Sequence, residues 1–184
     1  MMLRQARRLS QLINQLLELS KLQKGMMELK AEYGNFSQFM RSIVSSFTFF
    51  ANEHNIQLIL IEECGELKFS FDADKVEKII SNLLSNAIKF TTANGKVSVI
   101  LNEQLNTNYI EIKVCDTGNG IEPSKLKYIF DPFYQADENN THGLEGTGIG
   151  LSIVQQIVNA HGGSVSYRSE HGKGTTFTIT LPQR

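Results

Sequence analysis

Glu77-Lys78-Ile79-Ile80-Ser81-Asn82-Leu83-Leu84-Ser85-Asn86-Ala87-Ile88-Lys89-Phe90-Thr91 is the stretch around which the rest of the chain is read. Val76, Ile79, Ile80, Leu83, Leu84, Ala87 and Ile88 recur at i, i+3, i+4 and i+7, the spacing of a helix that sinks one broad stripe into a core. At ~100° per residue, Asn82, Asn86 and Lys89 fall within roughly 60° of one another and well off that stripe. Two amides and an ammonium therefore share a second face. An amide oxygen suits a hard cation such as Mg²⁺, and a lysine suits phosphate oxygens. On this helix alone, a solvated polar face serves equally well as an explanation.

The 184 residues, 41% of them hydrophobic and 20% charged, allow one sizeable domain with an appendage and exclude a disordered or fibrous chain. A formal net charge of −1 gives no reason to expect nucleic acid as a partner. Cys64 and Cys115 stand outside any CxxC or Cys/His spacing, so neither a disulfide framework nor a zinc site is expected. Met1 to Arg8 runs into a polar helix rather than an apolar leader.

In chain order, Leu9, Leu12, Leu16 and Leu19, widened by Ile13 and Leu17, predict a bundle helix from Leu3 to Lys24 that stops at Gly25. Its leucine seam calls for a partner helix. A first strand is expected around Met27-Glu28-Leu29-Lys30, then a helix capped by Asn35 or Ser37 and running to about Glu53. Strands follow at Ile56 to Glu62 and at Phe69 to Phe71, and Asp72 or Asp74 caps the opening helix. Asn94-Gly95 turns the chain into Val97 to Leu101, which pairs antiparallel with Tyr109 to Asp116. A helix that follows Gly146-Thr147-Gly148-Ile149-Gly150 and runs through about Ala160, and a hairpin of Ser164 to Ser169 with Thr175 to Leu181, complete the chain. Hairpin-connected late strands interspersed with helices predict an α/β (α+β) sandwich, with a mixed, mostly antiparallel sheet carrying helices on one face.

Three loops carry chemistry. Asp116-Thr117-Gly118-Asn119-Gly120-Ile121 puts a carboxylate at a strand end, where it can accept from an exocyclic amine, with glycines that let backbone approach a flat base. An aspartic protease would need a second Asp-Thr-Gly, and there is none. Gly143, Gly146, Gly148 and Gly150 open a helix, as phosphate-binding loops do, yet they match neither GxGxxG nor GxxxxGK[ST]. Between these loops, Ile129 to Asp137 is aromatic-rich and leads into polar Glu138 to His142, the composition of a mobile lid.

In order, Asn-Leu-Leu-Ser-Asn-Ala-Ile-Lys-Phe-Thr (82–91), Asp-Thr-Gly-Asn-Gly-Ile (116–121), Phe-Asp-Pro-Phe-Tyr-Gln-Ala-Asp (130–137), Gly-Thr-Gly-Ile-Gly-Leu (146–151) and Gly-Lys-Gly-Thr-Thr-Phe (172–177) resemble the N, G1, F, G2 and G3 boxes of bacterial sensor histidine kinases. The resemblance implies a Bergerat-type ATP-binding catalytic domain over residues 26–184. Residues 1–25 are similar to the second helix of a dimerisation and phosphotransfer hairpin, especially that of hybrid kinases. It implies that Asn86 coordinates Mg²⁺ with Asn82 in support, and that Lys89 contacts phosphate. Asp116 would take the adenine amine, with Gly118, Gly120 and Ile121 about the base. Gly146, Thr147, Gly148, Gly150 and Leu151 would wrap the triphosphate, and Thr175 would act near the base through Asp116. Partners implied are a histidine-bearing helix upstream of Met1, a second kinase subunit and a response-regulator receiver domain. The cytoplasmic location implied is that of a portion of a protein anchored in the inner membrane.

Two departures stand out. Asn119 replaces a residue that is usually apolar in the family, which implies altered packing under the base. None of His54, His142, His161 and His171 lies on the expected bundle helix or has the phosphoacceptor pattern, so no catalytic histidine is expected here. The leading expectation is ATP-dependent phosphorylation of an external histidine for relay to a receiver aspartate. A degenerate nucleotide-binding module and an ATP-hydrolysing relative of the same fold, for which Glu77 and Lys78 are the nearby candidates, are the competing ones.

Overall fold

The computed structural model describes residues 13, 28–104, 107–135 and 147–183. In order these form β1 (Glu32–Asn35), α1 (Phe36–Ser46), α2 (Thr48–Glu53), β2 (Gln57–Glu62), β3 (Lys68–Phe71), α3 (Ala73–Phe90), β4 (Lys96–Gln104), β5 (Tyr109–Asp116), a 3-10 turn (Leu126–Tyr128), α4 (Gly150–Ala160), β6 (Ser164–Glu170) and β7 (Gly174–Pro182). Apart from Ile13, the expected helix over Leu3 to Lys24 lies outside the described residues.

Five strands form one sheet in the order β2-β4-β5-β7-β6, antiparallel throughout except for the parallel β2–β4 pair. Alternation sorts its faces. Val97, Val99, Leu101, Ile110, Ile112, Val114, Phe177, Ile179 and Leu181 are buried against the helices, whereas Glu111 and Lys113 form a 2.7 Å ion pair on the opposite face. Among the described residues the helices cover one face only. All seven stripe residues of α3 are buried, and α4 adds Ile153, Val154, Ile157 and Val158. This agrees with the sandwich expected from the sequence.

The first strand is displaced from the expected position: Glu28 to Lys30 are coil, and β1 begins at Glu32. Pairing decides this. Glu32 sits opposite Phe71 and Asn35 opposite Lys68, so the ribbon with β3 sets the register, not local apolarity. Phe36 stacks on Phe69 and Phe71 with ring centroids 4.8 and 5.0 Å away, fixing the ribbon to α1. The helix expected to run to Glu53 breaks at Phe47 into α1 and α2. Ser46 turns its hydroxyl back to the Ile43 carbonyl at 2.7 Å, a local bond that competes with helix continuation. Asn35 caps α1 through the Gln38 N–H, and Ser37 is instead buried, accepting from the Leu67 N–H. Asp72 caps α3 through the Lys75 N–H and also accepts from the Lys30 N–H.

Candidate nucleotide site

Asp116 ends β5 on the helix-covered side of the sheet, because it continues the alternation of Ile112 and Val114. Its Oδ1 accepts two backbone N–H bonds, from Gly118 at 2.8 Å and from Thr175 at 3.1 Å. Among the described residues Oδ2 accepts none, which leaves a directed acceptor for a ligand. Burial pushes the Asp116 carboxyl above its usual range, and the two N–H bonds pull against that shift.

The loop after Asp116 is closed from three sides. Asn119 donates its N–H to the Phe90 carbonyl at the end of α3 and accepts from the Gly172 N–H of the last hairpin. A Cβ at Gly118 would lie 2.2 Å from the Phe90 oxygen, and one at Gly120, whose φ is +63°, would lie 2.1 Å from the Glu170 oxygen. These glycines thus answer first to packing of the chain on itself, against Phe90 and Glu170, which neither a turn nor a bound base in the sequence pattern discloses. The Asn119 side chain is exposed, so its departure from the family pattern leaves the packing around the loop to the backbone. The Ile121 N–H donates to Ser169 Oγ at 2.8 Å.

On α3, Asn82, Asn86 and Lys89 are all half-buried beside the apolar stripe. Asn82 Nδ2 donates to the Lys78 carbonyl at 2.7 Å, and its Oδ1 fills the space a Cβ at Gly150 would need, 2.7 Å away. Asn82 therefore abuts the N-terminus of α4. The Asn86 amide makes no hydrogen bond among the described residues. Burial pushes the Lys89 ammonium below its ordinary value, and its Nζ lies 5.0 Å from the Phe90 ring centroid. The polar face of α3 is thus tied at one end to the Asp116 loop and at the other to α4. From residue 82 to 89 that face spans about 10 Å at ~1.5 Å per residue.

Among the glycine-rich residues, Gly146 lies outside the described residues. Thr147 Oγ1 accepts from the Ile149 N–H at 3.4 Å, and the Gly148 carbonyl accepts from the Phe133 N–H at 2.9 Å. Leu151 packs half-buried against the core. Of the segment expected to be a lid, residues 129–135 are described. Phe130 is anchored by Tyr167 and Phe177, with ring centroids 5.9 and 6.4 Å away. Phe133 is held at φ +68°, a strained value for a side-chain-bearing residue.

Ser169 escaped the sequence reading. Its signal lay in the hairpin register, which sets it opposite Thr175. His54 and His161 cap the C-termini of α2 and α4, each with Nδ1 2.8 Å from a carbonyl of its own helix. His171 is exposed in the hairpin turn, and His142 lies outside the described residues.

A family model described as "Histidine kinase-, DNA gyrase B-, and HSP90-like ATPase" matches residues 71–184. "Hybrid signal transduction histidine kinase D" of Dictyostelium discoideum is 38% identical over 182 residues, which cover 97% of this chain and 12% of that protein. "Sensor protein SrrB" of Staphylococcus aureus is 31% identical over 179 residues, covering 97% of this chain and 30% of that protein. The crystal structure of full-length ShkA in complex with AMPPNP matches with a TM-score of 0.85 at 27% identity, over 96% of this chain and 36% of that one. The chain therefore spans less than a third of the two curated relatives.

Proposed function

The chain belongs to the family of histidine kinase-, DNA gyrase B- and HSP90-like ATPases, and from that premise we propose that it is the ATP-binding catalytic domain of a two-component sensor histidine kinase. It transfers the γ-phosphate of ATP to a histidine on a helix outside this chain, for relay to a response-regulator aspartate. The observation that carries this reading is Asp116: a half-buried carboxylate with one oxygen held by the Gly118 and Thr175 N–H groups and, among the described residues, the other open, at the same end of α3 as Lys89.

In this reading Asp116 accepts the adenine amine, while Gly118, Gly120, Ile121 and Thr175 frame the base. Lys89 meets phosphate, and its half-buried ammonium gains from an anion what burial takes away. Gly146, Thr147, Gly148, Gly150 and Leu151 wrap the remaining phosphates at the N-terminus of α4. Asn86, an amide with no protein partner among the described residues, has the donor chemistry for Mg²⁺, with Asn82 steadying the same face. Bound there, Mg²⁺ supplies neutralisation of phosphate charge. The chain's own residues bind and orient.

Residues 1–25 are assigned to the second helix of the dimerisation and phosphotransfer hairpin, and 26–184 to the catalytic domain. A second kinase subunit and a receiver domain are the expected partners. No helix among the described residues is long and apolar enough to cross a membrane. We place this portion in the cytoplasm, with the full-length protein anchored in the inner membrane.

An amide NMR titration with Mg²⁺ and ATP tests the site. Saturable shifts are expected at Gly118, Ile121, Thr175 and the Asn86 to Lys89 turn. Saturation without those shifts, or no saturation, refutes the assignment.

A further inference from the structure

Ser169 lies in none of the glycine-rich motifs, yet its hydroxyl joins the pieces of backbone that frame Asp116. It faces Thr175 across the β6–β7 hairpin, the cross-strand arrangement in which short hydroxyl side chains meet. The two Oγ atoms are 2.9 Å apart. Ser169 Oγ also accepts from the Ile121 N–H at 2.8 Å and stands 3.3 Å from the Gly174 carbonyl. Thr175 is 7% exposed, and its N–H donates to Asp116 Oδ1 at 3.1 Å.

A hydroxyl has one proton to give. If Ser169 gives its proton to the Gly174 carbonyl, Thr175 must give its own to Ser169 and can only accept from a ligand. If Ser169 gives it to Thr175, the Thr175 proton is released to another acceptor. Ser169 thereby controls the direction of the hydroxyl next to Asp116, and through Ile121 it holds the far end of the 117–121 loop against β6. We propose that Ser169 is a positioning residue of the base pocket. It sets the Thr175 hydroxyl and closes the loop so that a purine's exocyclic amine meets the open oxygen of Asp116 in line. The proposal rests on the nucleotide reading above.

Calorimetric titration with adenosine and inosine triphosphates, together with thermal melting, tests it. Inosine carries a carbonyl where adenine carries the amine, so the ratio of the two affinities reports alignment on Asp116. Ser169→Ala should weaken adenosine triphosphate binding about fivefold, the worth of roughly one hydrogen bond, and leave the inosine nucleotide within about twofold. Ser169→Thr, which keeps the hydroxyl on a strand-compatible side chain, should restore the ratio. Equal losses for both nucleotides, an unchanged ratio in Ser169→Ala, or a folded Ser169→Thr that does not restore it would each overturn the proposal. A wild-type chain that binds neither nucleotide refutes the functional reading itself, a result distinct from failure of the Ser169 variants alone.

Discussion

Replacing Asp116 by Asn keeps the shape of the side chain and changes what it offers. The amide oxygen can still accept from the Gly118 and Thr175 N–H groups at 2.8 and 3.1 Å, so the loop and hairpin retain their tie. Each of these bonds falls from charge-assisted to neutral strength, a loss of about 1 kcal/mol apiece. Against that loss stands the charge itself. An acid whose folded pKa is raised binds its proton more tightly folded than unfolded. The resulting penalty grows as pH rises above the ordinary ~3.9, is complete above the raised value, and disappears below ~3.9. Asn removes it. Because the raised value is already the net of desolvation against the two N–H bonds, desolvation outweighs them, and the melting temperature at neutral pH should hold or rise by a few degrees, the equivalent of about 1 kcal/mol at this chain length.

Binding has no such compensation. The amide NH₂ replaces the open oxygen and confronts the adenine amine donor to donor. Loss of a charge-assisted hydrogen bond of about 1.5–3 kcal/mol predicts roughly ten- to hundredfold weaker binding. The assay is titration with a fluorescent ATP analogue beside a thermal melt. Unchanged affinity, or a loss that merely tracks a collapse in melting temperature, refutes the role given to Asp116. In the wild type, affinity should decline on acidification as the pH passes through the raised carboxyl pKa, because with Oδ1 accepting from Gly118 and Thr175 the proton goes to the open oxygen, where an O–H meets the amine donor to donor and the charge assistance is lost.

Lys89→Met should raise the melting temperature at pH 7 while weakening ATP binding. Burial lowers the lysine's pKa, so its penalty is present at neutral pH and fades only as pH rises from the lowered value through the ordinary ~10.4; a fall in both melting temperature and affinity contradicts this. Asn86→Ala should weaken nucleotide binding mainly when Mg²⁺ is present, and calorimetry giving the same loss with chelator would remove the metal role. Gly118→Ala drives a methyl to 2.2 Å from the Phe90 carbonyl, and overpacking of about 1–3 kcal/mol should lower the melting temperature by roughly 3–10 °C. A variant that melts with the wild type would show that the α3 end yields freely.

Where local signals agreed, the sequence was enough. The stripe of α3, its Asp72 cap and the alternation of β5 and β7 all lie within one element, and each appears where the pattern places it. Long-range choices were not legible. β2 pairs parallel with β4 after an intervening ribbon strand and helix, and β1 starts at Glu32 because Phe71 is its partner. The motif glycines could be read as a site, but their contacts with Phe90 and Glu170 could not. Ser169 was invisible for the same reason: its role comes from Ile121, Gly174 and Thr175 meeting at one hydroxyl.

Radiolabel transfer from γ-labelled ATP is the most direct test of phosphotransfer to an external histidine. Transfer needs an imidazole about 3–3.5 Å from the γ-phosphate and in line with it. His161, at the far end of α4 from Gly150, is some 16 Å along the helix at ~1.5 Å per residue. The expected result is no acid-labile label on the chain alone with Mg²⁺ and ATP, and label on a separately supplied helical hairpin that carries an acceptor histidine. Release of free phosphate with an unlabelled hairpin, or acid-labile label on the chain alone that disappears in His161→Ala, would contradict it.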